Sequence, residues 1–293
     1  MRHLFAALAP VAMMAGIAAP AAAADFASDR ISVTVSGSGP DVILVPGLTS
    51  SPRIWADLTA ALPGYRYHFV QVRGFAGTPA GGNQSGEVVA RVADEVARYA
   101  AEQKLTAPAL IGHSMGGTIG MMVASRHSGR IGRLMVVDMV PFMGTFIGGP
   151  TATVESIRPM AQQITAQMAK APPEQRRQNA VMTLATMIKT EAARPGPIED
   201  SEKSDPAVVA SAYAELMLTD LRPELARIAV PTTVLYVKPP QLPITDAQMN
   251  AFYQTQFAGI AGVKLVQVPD SYHFIMLDQP QRFREDVKAF LAN

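Results

Sequence analysis

Six short runs in this chain are almost wholly apolar, at 42–45, 69–72, 109–111, 134–137, 233–237 and 265–268. A strand with no polar alternation suits a position covered on both faces, as in a parallel sheet packed between helices. A further run, 31–35, alternates apolar and polar residues and fits a half-exposed edge strand. Helical patterns occur between the runs, at 52–62, 85–104, 115–127, 246–258 and 279–292. This alternation predicts an α/β architecture, a mostly parallel sheet flanked by helices.

One interval breaks the rhythm. Between 142 and 228 no strand pattern occurs. Ile157, Met160, Ile164 and Met168 repeat at helical spacing, as do Val181, Leu184, Met187 and Ile188, and then Val208, Ala212 and Leu216. Pro172-Pro173 and Arg194-Pro195-Gly196-Pro197 punctuate the segments. The expected organisation is a helical lid at 142–228 set into a core formed by 25–141 and 229–293. Met139, Met143, Met160, Met168, Met182, Met187 and Met217 fall in or beside the lid. Ordinary helix packing is expected for most of them; the sharper alternative is an adaptable apolar pocket beneath the lid.

The first 24 residues read as an address. Met1-Arg2-His3 is a short basic start, 4–24 carries no charge, and Ala22-Ala23-Ala24 forms a small-residue cleavage signal before Asp25. Pro10, Gly16 and Pro20 interrupt the segment, which favours a cleaved secretory signal over a membrane span. The mature chain is therefore expected to be exported, periplasmic or secreted, without stable membrane insertion. Lys and Arg number 25 against 24 Asp and Glu, which excludes the strongly basic footprint of a nucleic-acid binder. With no Cys, the chain can have no disulfide, thiolate metal site or Cys nucleophile.

The strongest chemical signal is Gly112-His113-Ser114-Met115-Gly116-Gly117, set between an apolar run and a helical pattern. A Ser on a sharp strand-to-helix turn needs small residues two before and two after it to avoid collision. Such a turn lifts the hydroxyl above the sheet edge and aims the following N–H, here of Met115, at the same space. A neutral hydroxyl is a poor nucleophile and needs a base. Of five His, His3 leaves with the leader and His113 is adjacent on a turn where side chains diverge. His127 ends the helix that Ser114 begins, and His68 opens its strand at the far end. His273 remains, in a loop just past the last strand, at the sheet edge where open α/β sheets bind ligands.

With these motifs in place, the mature chain resembles the α/β-hydrolase superfamily over nearly its whole length. Val42 through Leu48 resembles the family's oxyanion-loop strand, followed by Trp55 at a usual position. Arg73-Gly74-Phe75-Ala76-Gly77-Thr78 resembles its Arg-Gly-x-Gly-x-Ser loop, and Asp270 through Pro280 its His loop. The resemblance implies Ser chemistry without metal or organic cofactor, backbone N–H donors at Leu48 and Met115, and a lid at the usual insertion point. The strand end more often reads His-Gly, whereas here it is Pro46-Gly47; the useful donor is Leu48, so Pro46 removes none.

A catalytic His also needs a carboxylate to fix its tautomer. The resemblance would put an Asp near Pro240, but the sequence there is Val237-Lys238-Pro239-Pro240. Two candidates remain. Asp138 ends the strand after the nucleophile strand, where some superfamily members carry their acid. Asp246 follows the strand after the lid, although Thr245 and Gln248 form a capping-box pattern that makes it a first-turn helix residue. Asp138 is the first choice and Asp246 the second. Asp220 reads as a structural residue at the lid exit and Asp278 as a helix cap. The expected activity is hydrolysis of small-molecule carboxylic esters with apolar acyl or alkyl groups, through an acyl-enzyme. Thioester, lactone or carbon–carbon hydrolysis, perhydrolysis, and a non-catalytic binding protein of the same fold are the alternatives.

Overall fold

The computed structural model describes residues 26–240 and 242–292; the leader at 1–24 lies outside them. Among the described residues, seven strands form one sheet: β1 (Ile31–Gly37), β2 (Asp41–Val45), β3 (Arg66–Val72), β4 (Ala109–His113), β5 (Arg133–Val137), β6 (Thr232–Tyr236) and β7 (Lys264–Gln267). The spatial order is β1-β3-β2-β4-β5-β6-β7, and every pairing is parallel except β1 with β3. The helices are α1 (Ala56–Ala61), α2 (Val89–Glu102), α3 (Met115–Arg126), α4 (Thr145–Gly148), α5 (Val154–Lys170), α6 (Pro173–Met187), α7 (Pro195–Lys203), α8 (Pro206–Leu218), α9 (Asp246–Gln256), α10 (Ile275–Asp278) and α11 (Pro280–Ala292).

Alternate strand residues feed two separate cores, as a period of two requires. Ile43, Leu110, Leu134 and Val136 pack with Val92, Ile119 and Tyr253 from α2, α3 and α9. Leu44, Ile111, Met135 and Val137 pack on the other face with Leu58, Phe283 and Val287 from α1 and α11. The continuous apolar runs are thus explained: β2, β4 and β5 are central and have no solvent face. β7 departs from the expected two-sided burial. It is an outer strand with one neighbour, and its residues are partly exposed.

Two helix starts also move. The 52–62 pattern opens as a 3-10 turn, Pro52–Trp55, before α1. α2 begins only at Val89, because Glu215 of α8 accepts the N–H groups of Val88, Val89 and Ala90 at 2.7–2.8 Å. A carboxylate there satisfies three orphan donors and opposes the helix dipole.

Helices α4 to α8 all lie between β5 and β6. Phe142, Ile157, Ala161 and Met217 make a small core of their own within this region. Of its methionines, Met217 is core, Met160 and Met182 are exposed, and Val181 is exposed despite its place in the helical repeat. No helix of the described residues is long and apolar enough to cross a membrane.

Candidate active site

Ser114 ends β4 with φ 52° and ψ −120°, a conformation that costs a non-glycine residue roughly 1–3 kcal/mol. Its neighbours make the turn possible. A Cβ at Gly112 would lie 2.1 Å from the Gly116 carbonyl oxygen, and one at Gly116 would lie 2.1 Å from that of Val45. The turn is pinned by the Ser114 N–H donating to the Val137 carbonyl at 2.9 Å, and by its own carbonyl accepting from Gly117 at 2.7 Å. The side chain is part-exposed among buried neighbours, at the N-terminus of α3.

Asp138 repeats this arrangement one strand over. Its φ is also 52°, and its N–H donates to the Leu235 carbonyl at 2.8 Å. Its carboxylate is nearly buried and bonded on both oxygens. Oδ2 meets His273 Nδ1 at 2.6 Å, while Oδ1 accepts from the Val237 N–H at 3.0 Å and the Tyr253 hydroxyl at 3.5 Å. Burial, reinforced by the Asp138 charge, pushes the Tyr253 hydroxyl well above its usual range and keeps it a donor. β6 therefore contributes a backbone N–H where the family resemblance would have put an acid.

His273 sits in the loop between β7 and α10. Its Nδ1 is committed to Asp138, which sets the proton on that nitrogen and leaves Nε2 as the basic one. The loop is held from below by His113, whose Nε2 donates to the His273 carbonyl at 3.1 Å and whose ring lies 4.7 Å from the His273 ring. Complete burial, with the His273 charge adding to it, holds His113 far below the ordinary imidazole range, so it stays neutral. Gly47 leaves no room here: a Cβ would come within 3.0 Å of both His113 Nδ1 and Ser114 Cβ.

Ser114, His273 and Asp138 line one cavity of about 790 Å³, together with Leu48. No protein acceptor among the described residues takes the backbone N–H of Leu48 or Met115. Thr49, next to Leu48, is held at φ 61°. Met139, Met143, Met168 and Met187 also line the cavity, so four of the seven singled-out methionines face it. Asp246 does not. It is an exposed first-turn residue of α9, bonded to Gln267 at 3.0 Å and near Lys238 at 3.9 Å. The Thr245–Gln248 capping box is present, and it fixes Asp246 on the helix rather than toward His273. The remaining described His are structural in place: His68 bonds Tyr99 and Asp41, and His127 bonds Asp94. No cluster of metal-ligating side chains occurs among the described residues.

Two residues near the site escape sequence reasoning. Asp278 is not a simple helix cap: it accepts the N–H groups of Tyr272, Lys189 and Thr190, bolting the His loop to the end of α6. Asp200 of α7 is buried and accepts both the N–H and hydroxyl of Ser51, at 3.1 and 2.6 Å, while pairing with Arg53 at 3.0 Å. Ser51 follows the Leu48–Thr49 turn, so α7 fixes the loop beside Ser114. No local pattern marks either residue, since their partners lie about 6 to 149 positions away.

The matching family model is that of the Alpha/beta hydrolase family, over residues 42–286. The chain belongs to the alpha/beta hydrolase family. It is 32% identical over 112 residues to a pimeloyl-[acyl-carrier protein] methyl ester esterase of Aeromonas hydrophila, covering 38% of this chain and 42% of that protein. The chain thus matches less than half the length of that relative. A protein of the same name from Vibrio cholerae is 26% identical over 214 residues, 69% of this chain and 76% of the relative. Among solved structures, the enol-lactonase from Burkholderia xenovorans superposes with a TM-score of 0.72 at 22% identity, over 90% of this chain and 96% of that one.

Proposed function

We propose that this protein is a serine hydrolase of carboxylic esters bearing apolar acyl or alkyl groups. Ser114 Oγ attacks the ester carbonyl while His273 Nε2 accepts its proton. Asp138 stabilises the imidazolium without itself taking a proton. The tetrahedral oxyanion is met by the N–H groups of Leu48 and Met115, donors already oriented before the reaction begins. Collapse expels the alcohol, protonated by His273, and leaves an acyl group on Ser114. Water activated by the same imidazole then releases the acid and restores the hydroxyl.

The observation that carries this proposal is the 2.6 Å bond between His273 and Asp138, made across 135 positions of sequence in the wall of the cavity that Ser114 borders. The substrate's apolar character rests on a lining that includes five methionines, three leucines, two valines and two phenylalanines. The names of the Aeromonas and Vibrio relatives, both methyl ester esterases, point the same way. The test is labelling with a fluorophosphonate probe. Wild type should be modified and Ser114→Ala should not; a folded wild type that resists the probe would refute the proposal. We further propose that residues 1–24 direct export, so that the protein recovered from the native host's periplasm or medium should begin at Asp25 by N-terminal sequencing. Recovery of an intact Met1 in the cytoplasm would overturn that.

A further inference from the structure

The walls of the cavity are largely apolar, with neutral Ser, Thr, Asn and Tyr side chains among them. Among the described lining residues, the acidic, basic and imidazole side chains are Asp138, His113 and His273 at the site, and Arg176 of α6. No carboxylate of the described residues pairs with Arg176, although its neighbour Arg177 is paired with Glu202. One edge of the Arg176 guanidinium is clipped by Nη1 donating to the Ala171 carbonyl at 3.3 Å, at the turn between α5 and α6. Its other N–H groups, in a planar fork suited to a carboxylate, have no protein acceptor among the described residues.

The placement of this cation along α6 is graded. Arg176, Asn179, Ala180, Thr183, Leu184 and Met187 all line the cavity and follow the three- and four-residue steps of one helix face. The apolar end of that face meets the site: the Met187 carbonyl accepts the N–H of Phe274, the residue after His273, at 3.2 Å. The polar end lies eleven residues away, about 16 Å along the axis at the helical rise per residue. A largely apolar cavity that begins at the nucleophile and carries, at the far end of α6, a part-buried cation without a carboxylate partner matches a substrate with a single negative charge at the far end of an apolar spacer.

We propose that Arg176 is an anion-binding subsite, and that the preferred ester carries an acyl chain ending in a carboxylate. This rests on the ester-hydrolase function proposed for Ser114 and His273. One guanidinium balances one negative charge, which favours a carboxylate over a phosphate dianion. The spacer must be a chain of several carbons, because a short diacid monoester at Ser114 would leave its anion among the methionines.

The experiment measures kcat/KM for methyl monoesters of α,ω-diacids, from butanedioate to dodecanedioate, against the matching ω-carboxamides. The carboxylate-to-carboxamide ratio is taken within each protein, so any general effect of a substitution cancels. In wild type the ratio should reach about tenfold for the longer chains, stay near one for butanedioate, and fall as salt is raised. Arg176→Ala should bring it to about one at every length, and Arg176→Glu should push it below one. A wild-type ratio near one, or an undiminished ratio in Arg176→Ala, would overturn the subsite while leaving the esterase function intact. Failure to hydrolyse any ester, charged or neutral, would instead sink the function on which it rests.

Discussion

Helices α7 and α8 add polar side chains that bridge distant loops, α8 also burying Val208, Ala212 and Leu216 in the main core, whereas α5 and α6 make only a few apolar contacts. From α7 come Asp200 to Ser51 and Arg53, and beyond its end Ser204 takes the Ala76 N–H at 2.9 Å. From α8 comes Glu215 to the start of α2, and the Asp205 N–H at its cap reaches the Gly74 carbonyl at 2.7 Å. By contrast, α5 buries only Ile157 and Ala161, and α6 only Ala180 and Leu184. The helices between β5 and β6 therefore fall into two groups. One braces the loops around Ser114; the other lines the cavity and is tied to the core chiefly at the end of α6, through Asp278 and the His273 loop.

The sharpest way to break this division lies in the core. Ser114→Ala should lower kcat/KM on a p-nitrophenyl ester by about five orders of magnitude, and Asp138→Asn by about four, with thermal unfolding retained. Asp246→Asn, a surface change, should stay within about twofold of wild type. A crippled Asp246→Asn beside a healthy Asp138→Asn would reverse the assignment of the acid. Next comes the braced group, α7 and α8. Asp200→Ala should cost about 2–4 kcal/mol in urea unfolding, because it strips buried partners from Ser51 and Arg53. Its kcat should drop about tenfold as the loop bearing Leu48 loosens. Val181→Ser, on the exposed face of α6, should stay within about 0.5 kcal/mol by the same measurement. Equal costs for the two would erase the contrast.

Smaller effects sharpen it further. Met168→Ala and Met187→Ala should each shift the ratio of long- to short-chain ester turnover a few-fold, for about 1 kcal/mol of stability. The smallest effect concerns His113, whose pKa is lowered on folding from its ordinary 6.5. The unfolded chain then binds more protons, so stability should be complete above about pH 6.5 and decline as pH falls below it. Melting temperature followed from pH 7.5 to 5.5 checks this, and His113→Gln should show a shallower fall. An unchanged slope would remove His113 as the source.

Those expectations also mark what the sequence made legible. The turn at Ser114 was readable because its requirement is local and severe: two glycines whose Cβ atoms would strike backbone oxygens. His273 was singled out by elimination, since His3 lay in the leader, His113 beside Ser114, and His68 and His127 at the wrong ends of their elements. The acid was harder. A carboxylate after β5 and one after β6 can approach the same imidazole, and only the fold reveals that β6 offers the Val237 N–H instead. Asp200, Glu215 and Asp278 were illegible as braces because each satisfies backbone or hydroxyl donors brought to it from elsewhere in the chain. Arg176 has no sequence signature; only the fold places it on the cavity wall with a backbone carbonyl and no carboxylate of the described residues as its partner.

The matched turns at Ser114 and Asp138 carry a mechanical consequence. Each donates its N–H to the strand beyond it, 2.9 Å to Val137 and 2.8 Å to Leu235, like successive treads of a staircase. Strand register changes only in whole residues, so the tread height cannot drift by fractions. Heating the enzyme should therefore not detune it gradually: alignment persists until the sheet itself gives way, and turnover and native structure should vanish together.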